Sequence, residues 1–312
     1  MRILSILIFV LSLSNCSFDD KTGIWKNSNE ISKKNKNELS DFKKIYTEQK
    51  LFSEIIYPKK NTQVSLDNIK ENITWNDEFY QGSNNLENFN YEEFNKIVFK
   101  SKKLSKYQIG KKILFDGKNA IFTDEKGNIF VYSINLREII FKYNFYKKKF
   151  KKIKKKLHIK TEKNIIYVAD NLGYLYSLNY EMKKLVWAKN FKIPLRSNIK
   201  IIKNKLMFAD SDNSLYFIDK FTGEKIKSLP TEGALIKNEF INSLAIKDDT
   251  LFFLNTFGSV YSINSKNIKI NWFININPNS EVAANNLFNS KPLVLKGDKI
   301  YILTDRKLHI FN

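Results

Sequence analysis

The chain has 312 residues, with 53 Lys and Arg against 32 Asp and Glu, and a formal net charge of +21. Its one Cys and two His exclude an internal disulfide framework and leave no metal-ligand spacing of the Cys/His kind. With 25 Phe, 15 Tyr and only five Pro, the apolar material is β-prone.

The N-terminal MRILSILIFVLSLSNC sets Arg2 ahead of an apolar stretch from Ile3 to Leu13, followed by Cys16. That stretch is too short to span a bilayer and has the layout of a secretory signal. Cys16 ends a lipobox-like LSNC, so it is the expected lipidation site and 1–16 the expected lipoprotein signal; Asn15 departs from the usual Gly or Ala. Residues 17–72 are polar, with one short amphipathic piece near Leu39 to Leu51, and read as a flexible tether to a folded part over 73–312.

From there one pattern recurs. AIFTDEKGNIFVYSI (Ala120 to Ile134), IIYVADNLGYLYSLN (Ile165 to Asn179), LMFADSDNSLYFID (Leu206 to Asp219) and LFFLNTFGSVYSIN (Leu251 to Asn264) are copies, and IYILTDRKLHIFN (Ile300 to Asn312) is a worn one. The turn position holds Gly127, Gly173, Asn213, Gly258 and Arg306, at intervals of 46, 40, 45 and 48 residues. Three residues earlier stand Asp124, Asp170, Asp210 and Asn255. A catalytic acid is rarely made in several copies, whereas Asp and Asn start turns by bonding their own backbone, and Gly and Asn tolerate positive φ. Each copy therefore reads as a β-hairpin. Fourteen residues after the turn position come Phe141, Trp187, Lys227 and Trp272, in what look like third strands; the aromatics there are expected to pack one unit on the next. Three or four short strands every 45 residues or so fit a β-propeller blade, and the alternating β-branched and aromatic runs argue against a helical repeat.

Between two units lies KKKFKKIKKKLHIK, from Lys147 to Lys160. It has no Arg, no Gly and no exposed aromatic platform for base stacking, so no nucleic-acid partner is expected; exposed positions drifting to Lys explain it, with weak attraction to acidic lipid headgroups as the alternative. His158 and His309 lie in alternating strand contexts.

The quoted repeats, YVADNLGYLYSLN most clearly, resemble the pyrroloquinoline-quinone-type (PQQ-like) propeller repeat family. A lipobox followed by such repeats resembles the BamB-like lipoproteins, the propeller subunits of the outer-membrane β-barrel assembly machinery (the BAM complex). The resemblance covers about Trp75 to Asn312 and implies a non-catalytic scaffold in the periplasm. Its expected partners are the periplasmic domains of the barrel-forming subunit and unfolded outer-membrane proteins, with no cofactor and no metal. Ser17 and Phe18 after Cys16, with no Asp directly following, resemble lipoproteins sorted to the outer membrane. The resemblance also implies a docking loop in AKNFKIPLRSNIK, with Pro194, Leu195 and Arg196 as partner-binding residues; Ser197 stands where a Gly often follows, and a plain blade-to-blade connection is the alternative. The competing function is a PQQ-dependent dehydrogenase-like quinoprotein, which needs Ca²⁺ held by carboxylate and amide oxygens, a general-base Asp and often a Cys pair; another envelope lipoprotein scaffold is a third reading. Eight blades are implied while about five or six are readable, so the chain is expected to be a truncated copy. The alternative is that Trp75, in NITWNDEFY, supplies a missing strand beside Leu308 and closes a smaller ring.

Overall fold

The computed structural model describes residues 16–18, 25–27, 57, 68–71, 74–89, 97, 100–233, 239–277, 287–304 and 307–312. The chain divides into two compact units, Met1–Val64 and Ser65–Asn312. In the first, β1 (Cys16–Phe18) pairs antiparallel with β2 (Trp25–Asn27), Cys16 opposite Asn27. A paired hairpin thus stands inside the segment whose polarity suggests only a tether. The apolar stretch 1–15 and the piece near Leu39 to Leu51 lie outside the described residues.

The second unit is built from the hairpins. In each of four, the Oδ1 of the acid or amide accepts from the backbone N–H two and four residues on. Asp124 takes Lys126 and Asn128; Asp170 takes Leu172 and Tyr174; Asp210 takes Asp212 and Ser214; Asn255 takes Phe257 and Ser259. The turn residues Gly127, Gly173, Asn213 and Gly258 all have φ between 65° and 89°, the region Gly and Asn enter most cheaply. The fifth turn is different: Thr304 bonds Lys307 in both directions, and Arg306 lies outside the described residues.

Each of the first four hairpins gains a strand on either side. The sheets are β3 (Leu114–Phe115), β4 (Asn119–Thr123), β5 (Asn128–Ser133) and β6 (Glu138–Asn144); then β7 (Leu157–Glu162), β8 (Ile165–Asp170), β9 (Tyr174–Asn179) and β10 (Lys184–Asn190). They continue with β11 (Lys200–Ile202), β12 (Lys205–Ala209), β13 (Leu215–Asp219) and β14 (Lys225–Leu229), and with β15 (Ser243–Lys247), β16 (Thr250–Leu254), β17 (Ser259–Asn264) and β18 (Lys269–Asn275). The last, β19 (Val294–Lys296), β20 (Lys299–Leu303) and β21 (Leu308–Phe311), has three strands among the described residues. The tail of the lysine run, from Leu157, belongs to β7 and is not linker. Successive antiparallel meanders of this kind are the blades of a β-propeller, and the fold is all-β.

The outer strands share a feature that breaks their alternation. Phe141, Trp187, Lys227 and Trp272 sit opposite Val131, Ser177, Phe217 and Ser262, and the residue before each is skipped in the pairing. That skipped residue, Ile140, Val186, Ile226 or Asn271, is a β-bulge, which bends the strand and raises its twist.

Blades pack in succession. Leu114, Ile121, Ile129 and Phe141 of the first meet Ile159, Ile166 and Tyr176 of the second; Tyr167 and Leu175 meet Leu206 and Phe208; Phe217 meets Leu244 and Phe253; Val260 meets Ile300 and Ile302. Trp187 reaches across as well, its Nε1 donating to the Lys220 carbonyl of the next blade at 3.0 Å. Gly223 is required there: φ is +72°, and a Cβ would lie 2.6 Å from the Trp187 ring. Trp272 instead tilts against Phe252 of its own sheet and stays 40% exposed.

Candidate functional site

The inner strands β3, β7, β11, β15 and β19 converge on one segment, residues 75–85. Trp75 pairs with Phe115 of β3, each N–H donating to the other's carbonyl. Trp75 is therefore bonded to the first blade and not beside Leu308 of the last. Further along, the Thr161 N–H donates to Asn76, the Ile246 N–H to Gly82 and the Leu295 N–H to Ser83, so four sheets give an inner-edge donor to this segment. Asn84 Nδ2 adds bonds to the Leu244 and Leu293 carbonyls at 2.9 and 2.8 Å.

The third blade contributes a side chain. Lys200, fully buried, donates from Nζ to Asp77 Oδ2 at 2.8 Å, the Gln81 carbonyl at 2.7 Å and Asn84 Oδ1 at 2.6 Å. Burial pushes its pKa down to about 8 against the pull of the Asp77 carboxylate. Lys160 lies 3.8 Å from the same Asp77 oxygen and is likewise lowered by burial. A carboxylate, an amide and a carbonyl oxygen thus converge on one ammonium. This is the donor chemistry that could hold a hard divalent cation, already filled by the chain itself.

Beside it, Glu78 accepts from the Ile159 N–H at 3.1 Å and faces His158 Nδ1 at 3.1 Å. Burial alone would lower the imidazole pKa, but the Glu78 carboxylate prevails and raises it. A cavity of about 600 Å³ opens at this end of the inner strands, bounded among others by Glu78, His158, Lys111, Lys112, Lys291 and Glu239. Its charge is mixed, so it suits a polar, two-signed surface rather than a single ion. Little in the sequence marks this region. The polar cluster in NDEFYQGSNN, next to the tether, is the one available sign.

The residues expected to dock a partner behave otherwise. Leu195 is 1% exposed, in the core between the second and third blades with Tyr167, Leu175, Leu206 and Phe208. Its N–H donates to the Asp170 carbonyl, Arg196 N–H donates to Ala209, and the Ser211 N–H donates to Pro194. Pro194 to Arg196 is therefore the lead-in to β11, alongside the end of β12. An exposed Leu195 anchor, the expectation for a docking loop, is corrected: the leucine is core. Arg196 is half-buried.

The acids of the turns are structural as placed. Their second oxygens bond neighbouring side chains: Asp124 with Ser105 and Asn128, Asp170 with Tyr146 at 2.5 Å, Asp210 with Tyr216 at 2.9 Å. Burial raises the pKa of Asp170 and of Asp210 above the ordinary carboxylate value, against these hydrogen bonds.

The outer edges differ from one another. β6 carries one lysine, Lys142, and β10 and β14 two each, Lys184 and Lys189, Lys225 and Lys227, beside the exposed Ile139, Val186 and Ile226. β18 has Lys269 at its start and then Ile270, Trp272 and Phe273, at 45%, 40% and 53% exposure. Its described pairing is with β17 alone.

No family model matches the chain, and no curated protein sequence matches it. The PQQ-like resemblance therefore rests on the quoted motifs. Among solved structures it is similar to BamB from Moraxella catarrhalis, at 12% identity and a TM-score of 0.48, over 60% of this chain and 55% of that one. It is similar to the computationally designed Ika8 protein at 10% identity and a TM-score of 0.50, over 64% and 57%. It is similar to Saccharomyces cerevisiae Sqt1 at 13% identity and a TM-score of 0.47, over 62% and 54%. The chain thus matches little more than half the length of each, and likeness at such identities concerns fold alone.

Proposed function

We propose that the chain is a non-catalytic propeller scaffold of the outer-membrane protein assembly machinery. In this reading it is held at the periplasmic face of the outer membrane through Cys16, binds the periplasmic domains of the barrel-forming subunit and assists insertion of β-barrel proteins. The sequence support is the lipobox and the repeat resemblance. The structural observation that carries the binding role is β18, an outer strand that exposes Ile270, Trp272 and Phe273 together and whose one lysine, Lys269, stands at its start. An extended segment of a partner can add to such an edge through main-chain bonds, with the aromatics as anchors. The docking surface moves accordingly from Leu195 to β18.

The test is co-purification of the tagged chain from its own envelope. The reading expects a large outer-membrane barrel protein in the eluate, lost in the Ile270→Ser, Trp272→Ser double variant while the melt stays close to wild type. An eluate without such a protein overturns the assembly role. Saturable binding of pyrroloquinoline quinone with Ca²⁺ overturns the non-catalytic one.

A further inference from the structure

The lysine run does not trail as a solvated link between blades. Lys148–Phe150 forms a 3-10 turn, and Phe150 lies edge-on to Tyr146 and Tyr174 at 6.4 and 6.0 Å between centroids. The run is then tied down: the Lys155 N–H donates to the Glu125 carbonyl, Lys154 pairs with Glu125 at 3.0 Å, and Asn171 bonds both the Lys154 carbonyl and the Lys156 N–H. The first blade supplies the facing wall, and the result is a cavity of about 760 Å³. Lys126, Lys147, Lys148, Lys151, Lys152 and Lys155 line it, with no carboxylate in the lining.

Among the described residues, none of these six has a carboxylate within ion-pair distance, although other lysines of the same run do, Lys154 with Glu125 and Lys156 with Glu239. Lys155 is buried and fixed, its Nζ donating to the Phe150 carbonyl. Like charges lining one cavity repel, as Lys126 does Lys155, and a multivalent anion relieves that repulsion. The two tyrosines of the cavity are each already covered by an ammonium, Lys126 5.5 Å from the Tyr107 centroid and Lys155 5.0 Å from that of Tyr146. They offer no bare ring for base stacking, which favours phosphate groups over a nucleic-acid strand.

We propose that this cavity, between the Lys147–Lys155 loop and the edge of the first blade, binds an anion carrying two or more phosphates, either free or as a lipid headgroup. The probe is tripolyphosphate, titrated into the full chain by calorimetry. One saturable site per chain is expected. The quadruple variant Lys126→Gln, Lys148→Gln, Lys151→Gln, Lys152→Gln should bind at least about tenfold more weakly, since each ammonium removed takes away a near-contact charge. A control of equal charge, Lys184→Gln, Lys225→Gln, Lys269→Gln, Lys299→Gln, should keep the affinity. If the first variant melts early, single Lys151→Gln and Lys152→Gln, both exposed, should each show part of the loss. Sedimentation with phosphatidylcholine vesicles with and without cardiolipin separates the sources. Pelleting that depends on cardiolipin and is reversed by tripolyphosphate supports a headgroup ligand; its absence, with tripolyphosphate still bound, supports a free anion. No saturable tripolyphosphate binding, or equal weakening in both quadruple variants, overturns the proposal. So does a single-stranded oligonucleotide that displaces tripolyphosphate and binds more tightly.

Discussion

The inner and outer edges of the sheets face the same physical problem and meet it in opposite ways. A sheet edge is a row of unpaired donors and acceptors. At the inner edges Phe115, Thr161, Ile246 and Leu295 give their N–H groups to Trp75, Asn76, Gly82 and Ser83, and Lys200 of the third blade is tied to Asp77, Gln81 and Asn84. One stretch of chain therefore bonds the inner edges of four blades through the backbone and the third blade through a side chain. At the outer edges protection is left to side chains, and β18 has one lysine, Lys269, followed by the exposed Ile270, Trp272 and Phe273. An edge sealed by covalently continuous chain contributes to stability; one left apolar is available to another molecule. Substitutions on the inner side should cost stability, and those on β18 should cost binding.

The largest effect is expected at Lys200. Lys200→Met would leave the buried Asp77 carboxylate with only the more distant Lys160, 3.8 Å away, and strip the Lys200 bonds from Gln81 and Asn84; breaking such a buried pair costs about 3–5 kcal/mol. Chemical denaturation measures this, and adding Asp77→Leu should recover part of the loss. A wild-type melt in the single variant would mean that the inner segment does not hold the blades. Leu195→Ala comes next. It removes a buried leucine between two blades, and the cost is about 2–5 kcal/mol, whereas Arg196→Ala should change the melt little. Equal effects at the two positions would contradict the burial difference between them.

These two residues also show what the sequence could and could not tell. The hairpins were legible because the turn chemistry is local: an acceptor at one position and Gly or Asn three residues on suffice, and Asp124, Asp170, Asp210 and Asn255 all bond as that chemistry requires. The outer strands were less legible, because the bulges at Ile140, Val186, Ile226 and Asn271 break the period of two just before the recurrent position. Leu195 looked like a surface anchor because a Pro-Leu-Arg loop carries no sign of what will cover it. The inner segment was least legible: its partners are 40 to more than 200 positions away, as with Asn84 and the Leu293 carbonyl, |i−j| = 209, and no period links them.

A smaller effect is expected at Gly223→Ala, where positive φ and the Trp187 ring act together; a loss of about 1–3 kcal/mol is consistent with both strain and overpacking. The His158–Glu78 pair gives the inner side a pH dependence. The folded pKa of His158 is raised, so the stabilisation from the charged imidazole is fully present below its ordinary value, about 6.5, and is lost as pH rises through the higher folded value. The melting temperature should therefore carry a component that falls on going from acid to neutral and alkaline pH, and His158→Gln should remove it. A slope unchanged in His158→Gln would place the titrating group elsewhere.

The smallest effect on stability, and the one that tests the outer side directly, is expected at Ile270. Its side chain is 45% exposed on β18 and sits opposite Ile263. Ile270→Lys would give β18 a second lysine beside Lys269, the number that β10 and β14 already have. Because the site is at the surface and the backbone pairing with β17 is untouched, the change in stability should stay within about 1 kcal/mol. The binding consequence should be larger, since an added strand would have to bury or displace an ammonium at the edge. Self-association at high concentration, read by light scattering, should fall, and capture of the barrel partner should fall with it. Gly82→Ala is the matching change on the inner side. A Cβ there would lie 2.6 Å from Ile246 Cγ1, so it should lower the melt and leave capture by the folded protein intact. If Ile270→Lys lowers the melt as much as Gly82→Ala does, β18 is part of the sealed structure and the distinction between the two edges fails. If it leaves both melt and capture unchanged, the edge of β18 is exposed but unused.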